Sequence, residues 1–136
     1  MSRRKLLVIE HDGQIQRLLE IILSRAGFEV DFASDGNDGW SKILEGEYAA
    51  IILDLMLSKL DGFHILDLLT AEAPALLPRI IIATAADDNT VAKLDTSRVH
   101  GLIRKPFDVQ DLISLVTACA NNFTHTTARP AQADRP

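Results

Sequence analysis

A chain of 136 residues is one domain by length, and folding it buries about two-thirds of its extended-chain surface, enough for a core. Its 14 Lys plus Arg against 19 Asp plus Glu leave a formal net charge of -5, which argues against a broad nucleic-acid-binding face. Cys119 is the only cysteine, so an internal disulfide is excluded and a reducing, cytoplasmic setting is expected.

Arg3, Arg4 and Lys5 precede only the short apolar run Leu6-Leu7-Val8-Ile9, which is too brief for a signal-peptide core. No run approaches the roughly 18 residues of a membrane span, so no membrane association is expected. Leu6 to Ile9 reads instead as a buried strand that ends in the polar cluster Glu10-His11-Asp12-Gly13. Ile15, Leu18, Leu19, Ile22, Leu23 and Ala26 then recur at the spacing of one helical face, and Gly27 is placed to end that helix in a left-handed conformation.

Val30 and Phe32 alternate with Glu29 and Asp31, the pattern of a half-exposed edge strand. After the turn at Asp35-Gly36, Trp40, Ile43 and Leu44 supply a short helical face, and Ala50 to Leu53 forms a strand ending at Asp54. Phe63, Leu66 and Leu69 mark a third helix that stops near Pro74 and Pro78. Ile80-Ile81-Ile82-Ala83 is another buried strand, ending at Thr84. A weaker helix starts at Asp87-Asp88-Asn89 and runs through Leu94, and Leu102-Ile103 is a short fifth strand before Lys105-Pro106. Val109, Leu112, Ile113 and Val116 form the last amphipathic helix, with Cys119 as a small hydrophobe on a helix face. The domain is expected over residues 4–120, and the polar Thr/Ala/Pro-rich stretch 121–136 reads as a disordered tail or linker stub.

Strands alternating with helices imply a parallel sheet covered on both faces, because parallel neighbours need crossover connections of fixed hand. The fold class is therefore α/β, a doubly wound five-stranded parallel sheet. With the edge-like strand second in sequence, strand order 2-1-3-4-5 is expected, and ligands in such sheets gather outside the carboxyl ends of the strands. Four strands deliver polar groups there: Glu10, His11 and Asp12 from the first, Asp54 from the third, Thr84 from the fourth and Lys105 from the fifth. Asp54 alone could simply open a turn, as aspartates often do. Four convergent placements are harder to explain as turn chemistry.

Leu53-Asp54-Leu55-Met56-Leu57 followed by Asp61-Gly62, Thr84-Ala85 after an apolar strand, and Lys105-Pro106-Phe107 stand in the order and near the spacing of one known family. In these motifs the chain resembles a bacterial response regulator receiver domain, a two-component signalling module with a flavodoxin-like fold. The resemblance implies that Asp54 is the phosphoacceptor, receiving a phosphoryl group from a sensor histidine kinase or phosphotransfer protein. A carboxylate is a competent nucleophile in such transfer, and the protein's task is positioning and charge stabilisation. By the same resemblance Lys105 places positive charge on the phosphoryl oxygens, Thr84 donates a hydroxyl to them, and Mg²⁺ is held by Glu10, Asp54, the backbone carbonyl of Met56 and water. The module is then no enzyme on other substrates, though it assists phosphotransfer to and dephosphorylation of its own Asp54. Its output would be a face near the fourth and fifth strands that binds a downstream protein, and the Lys105-Pro106 bond would be cis.

The family usually carries two adjacent acids after the first strand, the second a direct metal ligand, and His11 stands at that second position. Imidazole suits Mg²⁺ poorly, so weakened Mg²⁺ binding or an altered metal is expected if His11 takes part, with Asp12 as the compensating candidate. Alternatively His11 is an exposed loop histidine. Leu102 occupies the place, three before Lys105, where the family has Tyr, Phe or His, so coupling through an aromatic rotation is not expected. Gly13 and Ser58 stand where prolines are common, and the stretch from Thr84 to Lys105 is about one residue short. His64, His100 and His125 lie outside the constellation and show no zinc spacing.

The alternative function is a phosphorylation-independent pseudo-receiver that acts as a protein-binding module, motivated by His11 and Leu102. A haloacid-dehalogenase-like phosphohydrolase would need a second Asp where Met56 stands. A flavin-binding module would need a phosphate-cradling loop where Glu10 and Asp12 instead repel phosphate, and no Gly-Lys-Ser/Thr phosphate loop occurs.

Overall fold

Among the described residues, five strands pair as one parallel sheet: β1 (Lys5–Ile9), β2 (Glu29–Ala33), β3 (Ala50–Asp54), β4 (Ile80–Thr84) and β5 (Gly101–Arg104), in the order β2-β1-β3-β4-β5. The computed structural model describes residues 3–57 and 59–123. Ser58 and residues 124–136, with His125 and most of the expected tail, lie outside the described residues.

Every residue of β3 and β4 is buried, as continuous apolar runs with helices on both faces require. Alternate side chains build two cores. Leu6, Val8, Ala50, Ile52, Ile81 and Ala83 face α1 (Gly13–Arg25) and α5 (Val109–Asn122). Leu7, Ile9, Ile51, Leu53, Ile80 and Ile82 face α2 (Gly36–Glu45) and α3 (Gly62–Glu72). The alternating β2 is the half-exposed edge strand that its pattern implied.

All five α-helices among the described residues, including the short α4 (Asp88–Ala92), start from an aspartate cap. Asp12, Asp35, Asp61, Asp87 and Asp108 each accept backbone N–H groups of the first turn, which have no partner within the helix. At the other end of α1, Gly27 takes φ +100°, and the N–H of Phe28 returns to the carbonyl of Leu23, the left-handed stop expected of that glycine.

Several details differ from the sequence reading. Leu18 and Leu44, placed on apolar helix faces, are about half exposed because each lies at the border of its stripe. Pro74–Arg79 forms a 3-10 turn, which a proline at its start favours, where only a helix stop was expected. α4 ends at Ala92 rather than Leu94, and none of its side chains is buried. α5 continues through Asn121 and Asn122, past the boundary expected at 120, where Arg4 donates a hydrogen bond to Asn121. Cys119 is buried on α5, and burial pushes its thiol pKa up to about 12.

Candidate phosphoryl-acceptor site

Parallel pairing aligns the carboxyl ends of the strands, so residues distant in sequence meet at one edge. Glu10 follows β1, Asp54 and Thr84 are the last residues of β3 and β4, and Lys105 follows β5. The register puts Asp54 opposite Ala83, and Thr84 opposite Arg104. Backbone bonds continue past the strands: Glu10 N–H donates to the Ala33 carbonyl at 2.9 Å and Lys105 N–H to the Thr84 carbonyl at 2.9 Å. The Lys105-Pro106 peptide is cis, as the resemblance implied.

Glu10 and Asp54 are nearly inaccessible, at 2% and 3% exposure, and Thr84 is fully buried. The Lys105 ammonium lies 2.5 Å from Glu10 Oε1 and 3.3 Å from Asp54 Oδ2. Two buried carboxylates thus share one ammonium, which leaves a formal negative charge at the edge. Burying charge is costly without compensation, so this arrangement favours a further cation.

Local hydrogen bonds aim the groups. Asp54 Oδ1 accepts the Met56 N–H at 3.0 Å, and Thr84 Oγ1 accepts the Ala86 N–H at 2.9 Å. The Thr84 hydroxyl proton therefore points elsewhere than Ala86. Gly62, the first residue of α3, donates to the Leu55 carbonyl at 3.0 Å, and a Cβ there would lie 2.6 Å from the Asp54 carbonyl oxygen. Only glycine permits α3 to start so close behind the acceptor strand.

His11 Nδ1 lies 3.6 Å from Glu10 Oε2 and 3.7 Å from Asp54 Oδ2, with its side chain 56% exposed. Glu10, His11 and Asp54 each offer a ligand atom, and these atoms all lie within 4.8 Å of one another. His11 is exposed, as a loop histidine would be, and it also joins the two carboxylates. Asp12 does not join them: its Oδ1 accepts the Gln14 and Ile15 N–H groups at 2.8 and 3.3 Å, so the helix cap takes the carboxylate. The Met56 side chain is exposed. On the surface of α3 the His64 ring Nδ1 lies 3.0 Å from Oδ1 of the capping Asp61, and Leu102 is half-buried in β5 against the α3-side core.

Sequence reasoning overlooked Arg104. Its guanidinium bonds the Ala86 carbonyl at 3.0 Å and Asp88 at 2.5 Å, clipping the loop after Thr84 to β5. Its place beside Lys105 was visible, but not the return of that loop across the strand end.

The chain matches the family profile "Response regulator receiver domain" over residues 6–117. It is 39% identical over 116 residues to the transcriptional regulatory protein HprR of Escherichia coli (strain K12), covering 84% of this chain and 50% of that protein. It is 27% identical over 128 residues to the transcriptional regulatory protein SrrA of Staphylococcus aureus (strain NCTC 8325 / PS 47), covering 94% of this chain and 52% of that one. The chain thus spans about half the length of these curated relatives. Among solved structures, the receiver domain of the Francisella response regulator 1452 superposes with a TM-score of 0.78 at 25% identity, covering 89% of this chain and 99% of that one. A response regulator receiver domain protein from Clostridium thermocellum gives 0.77 at 28% identity, covering 88% and 95%. Together with the 2-1-3-4-5 sheet and the carboxylate, hydroxyl and lysine gathered at its edge, these matches place the chain in the response regulator receiver domain family.

Proposed function

We propose that the domain accepts a phosphoryl group on Asp54 from a phosphohistidine of a sensor kinase or phosphotransfer protein, and that the modified edge then changes a protein-binding face. The observation that carries this reading is the Asp54 carboxylate, 3% exposed at the end of β3 with the Lys105 ammonium 3.3 Å away.

In the transfer, an Asp54 carboxylate oxygen bonds to phosphorus as the donor's N–P bond breaks, and the departing imidazole keeps the bonding electron pair and takes up a proton. Lys105 supplies charge to the phosphoryl oxygens. Thr84, whose oxygen already accepts from Ala86, has its hydroxyl proton available for one of them. A divalent cation at Glu10 and Asp54, with the Met56 carbonyl, would neutralise further charge; Mg²⁺ is the family's expected ion, and both carboxylates suit it. The new charge of about -1.5 to -2 would draw Thr84 and the Arg104-clipped loop inward.

The partner is a protein rather than nucleic acid for this domain, a choice the net charge of -5 supports. No helix among the described residues is long and apolar enough to cross a membrane, and a cytoplasmic location is part of the proposal.

Intact-mass measurement after treatment with acetyl phosphate and a divalent cation tests the assignment. One added phosphoryl group is expected on the native protein and none on Asp54→Asn; labelling of that variant would overturn it. His11 at the metal edge favours one second reading, a pseudo-receiver that binds its partner without phosphorylation. That reading requires an unlabelled native protein with any divalent cation.

A further inference from the structure

We propose that this edge selects a borderline first-row divalent cation, of the Co²⁺, Ni²⁺ and Zn²⁺ kind, over Mg²⁺, with His11 Nδ1 as the discriminating ligand. The inference deepens the phosphoacceptor reading by naming the cation of the same site, and rests on it to that extent.

The donor set is two carboxylates and one imidazole nitrogen, all within 4.8 Å of one another. Mg²⁺ prefers an oxygen octahedron and gives up water reluctantly, whereas imidazole nitrogen suits zinc, nickel and related ions. Ligand atoms bound about 2.0–2.2 Å from one ion stand roughly 3.0–3.5 Å apart at tetrahedral or octahedral angles. His11 Nδ1 already lies 3.6 Å from Glu10 Oε2 and 3.7 Å from Asp54 Oδ2, so sharing an ion with either carboxylate moves the imidazole by only a few tenths of an ångström, and the three ligand atoms all stand within 4.8 Å of one another.

The neighbouring contacts leave a lone pair for an ion on each carboxylate, although Asp54 Oδ2 also lies 3.3 Å from the Lys105 ammonium and Oδ1 accepts the Met56 N–H. Lys105 takes the opposite oxygen of Glu10, Oε1, while Oε2 faces His11 and also accepts the Asp12 N–H at 3.1 Å. Asp12 holds the helix cap through Oδ1 and is not among the clustered ligands, which are Glu10, His11 and Asp54. His11 is 56% exposed, so an ion can enter from solvent and retain open positions for phosphoryl oxygens.

Carboxylates alone also bind zinc more tightly than magnesium, so the decisive quantity is how the ratio changes with His11. Calorimetric titrations of the full chain with MgCl₂ and with ZnCl₂ compare His11 with His11→Asp, both carrying His64→Gln to remove the exposed His64–Asp61 pair. The expected result is at least a tenfold fall in the zinc-over-magnesium affinity ratio in His11→Asp. A ¹⁵N spectrum of the histidine rings should show the His11 Nδ1 resonance moved by Zn²⁺ and not by Mg²⁺. A ratio change below tenfold, or a His11 ring unmoved by Zn²⁺, overturns the proposal.

Phosphoryl labelling by mass is read separately on the same samples. A shifted ratio with no label under any metal would retire the phosphoacceptor reading and leave the metal selectivity standing. Labelling with an unchanged ratio would do the reverse.

Discussion

The ammonium of Lys105 sits 2.5 Å from Glu10 and 3.3 Å from Asp54, so the lysine holds the first-strand acid more closely than the proposed acceptor. Two carboxylates packed side by side repel, and Lys105 is what lets both remain buried.

Replacing Lys105 by Met should therefore destabilise the fold as well as block phosphoryl acceptance. Removing one partner of a buried ion pair costs about 3–5 kcal/mol, and the low end applies here because Lys105 lies at the sheet edge, 13% exposed. Urea unfolding reads the first effect, and intact mass after acetyl phosphate treatment the second.

Gly62→Ala places a methyl group 2.6 Å from the Asp54 carbonyl oxygen and from Leu55 Cα. Backbone atoms on both sides cannot give way cheaply, so a loss of about 1–3 kcal/mol is expected, with slower phosphorylation as the end of β3 shifts. Gly13→Ala is the contrast: nothing lies within 4 Å of its added Cβ, and a stabilisation of up to about 1 kcal/mol is expected. Equal losses in the two variants would contradict this account of the α3 start.

Cys119 should be inert in the native protein. Burial raises its thiol pKa to about 12, so almost no thiolate exists at neutral pH. A thiol reagent such as Ellman's should react only on unfolding, with a rate that follows denaturant. Fast labelling of folded protein at pH 7 would show that α5 opens readily.

The aspartate caps predict an acid limb. The backbone N–H of Asp38 holds the Asp35 carboxyl below its usual value of 3.8, and that of Thr90 does the same for Asp87. A carboxyl depressed by folding contributes stability that is present above the unfolded value and is lost as pH falls through the folded one. Unfolding midpoints should thus drop below about pH 4. Asp35→Asn caps equally well without titrating, and should flatten that limb while leaving the neutral-pH midpoint nearly unchanged.

The sheet order and the gathering of Asp54, Thr84 and Lys105 at one edge were legible for one reason: fully buried parallel strands write themselves as unbroken apolar runs, and the residue ending each run must stand at the common edge. Ile51 to Leu53 followed by Asp54, and Ile80 to Ala83 followed by Thr84, carry that information in contiguous sequence. Asp12 is ambiguous in sequence because a carboxylate before a helix has two competing uses, and here its Oδ1 accepts the free N–H groups of Gln14 and Ile15. Leu18 and Leu44 misled because periodicity gives a face but not the width of its partner. The 3-10 turn after α3 and the Arg104 clip depend on how segments return across the sheet, which no local pattern records.

The five-residue α4 contributes no buried side chain, and its start is tied by the Asp87 cap and by Arg104 to Asp88. Local unfolding of this stretch therefore exposes little apolar surface, and its amides should exchange hydrogen far sooner than those of β1, β3 and β4, whose release requires the whole domain to open. Among the described helices, the one that buries no side chain is thus the one joined directly to the Thr84 loop. On the proposed reading, phosphorylation at the strand ends would need to tip only this small equilibrium, while the sheet that carries Asp54 stays closed.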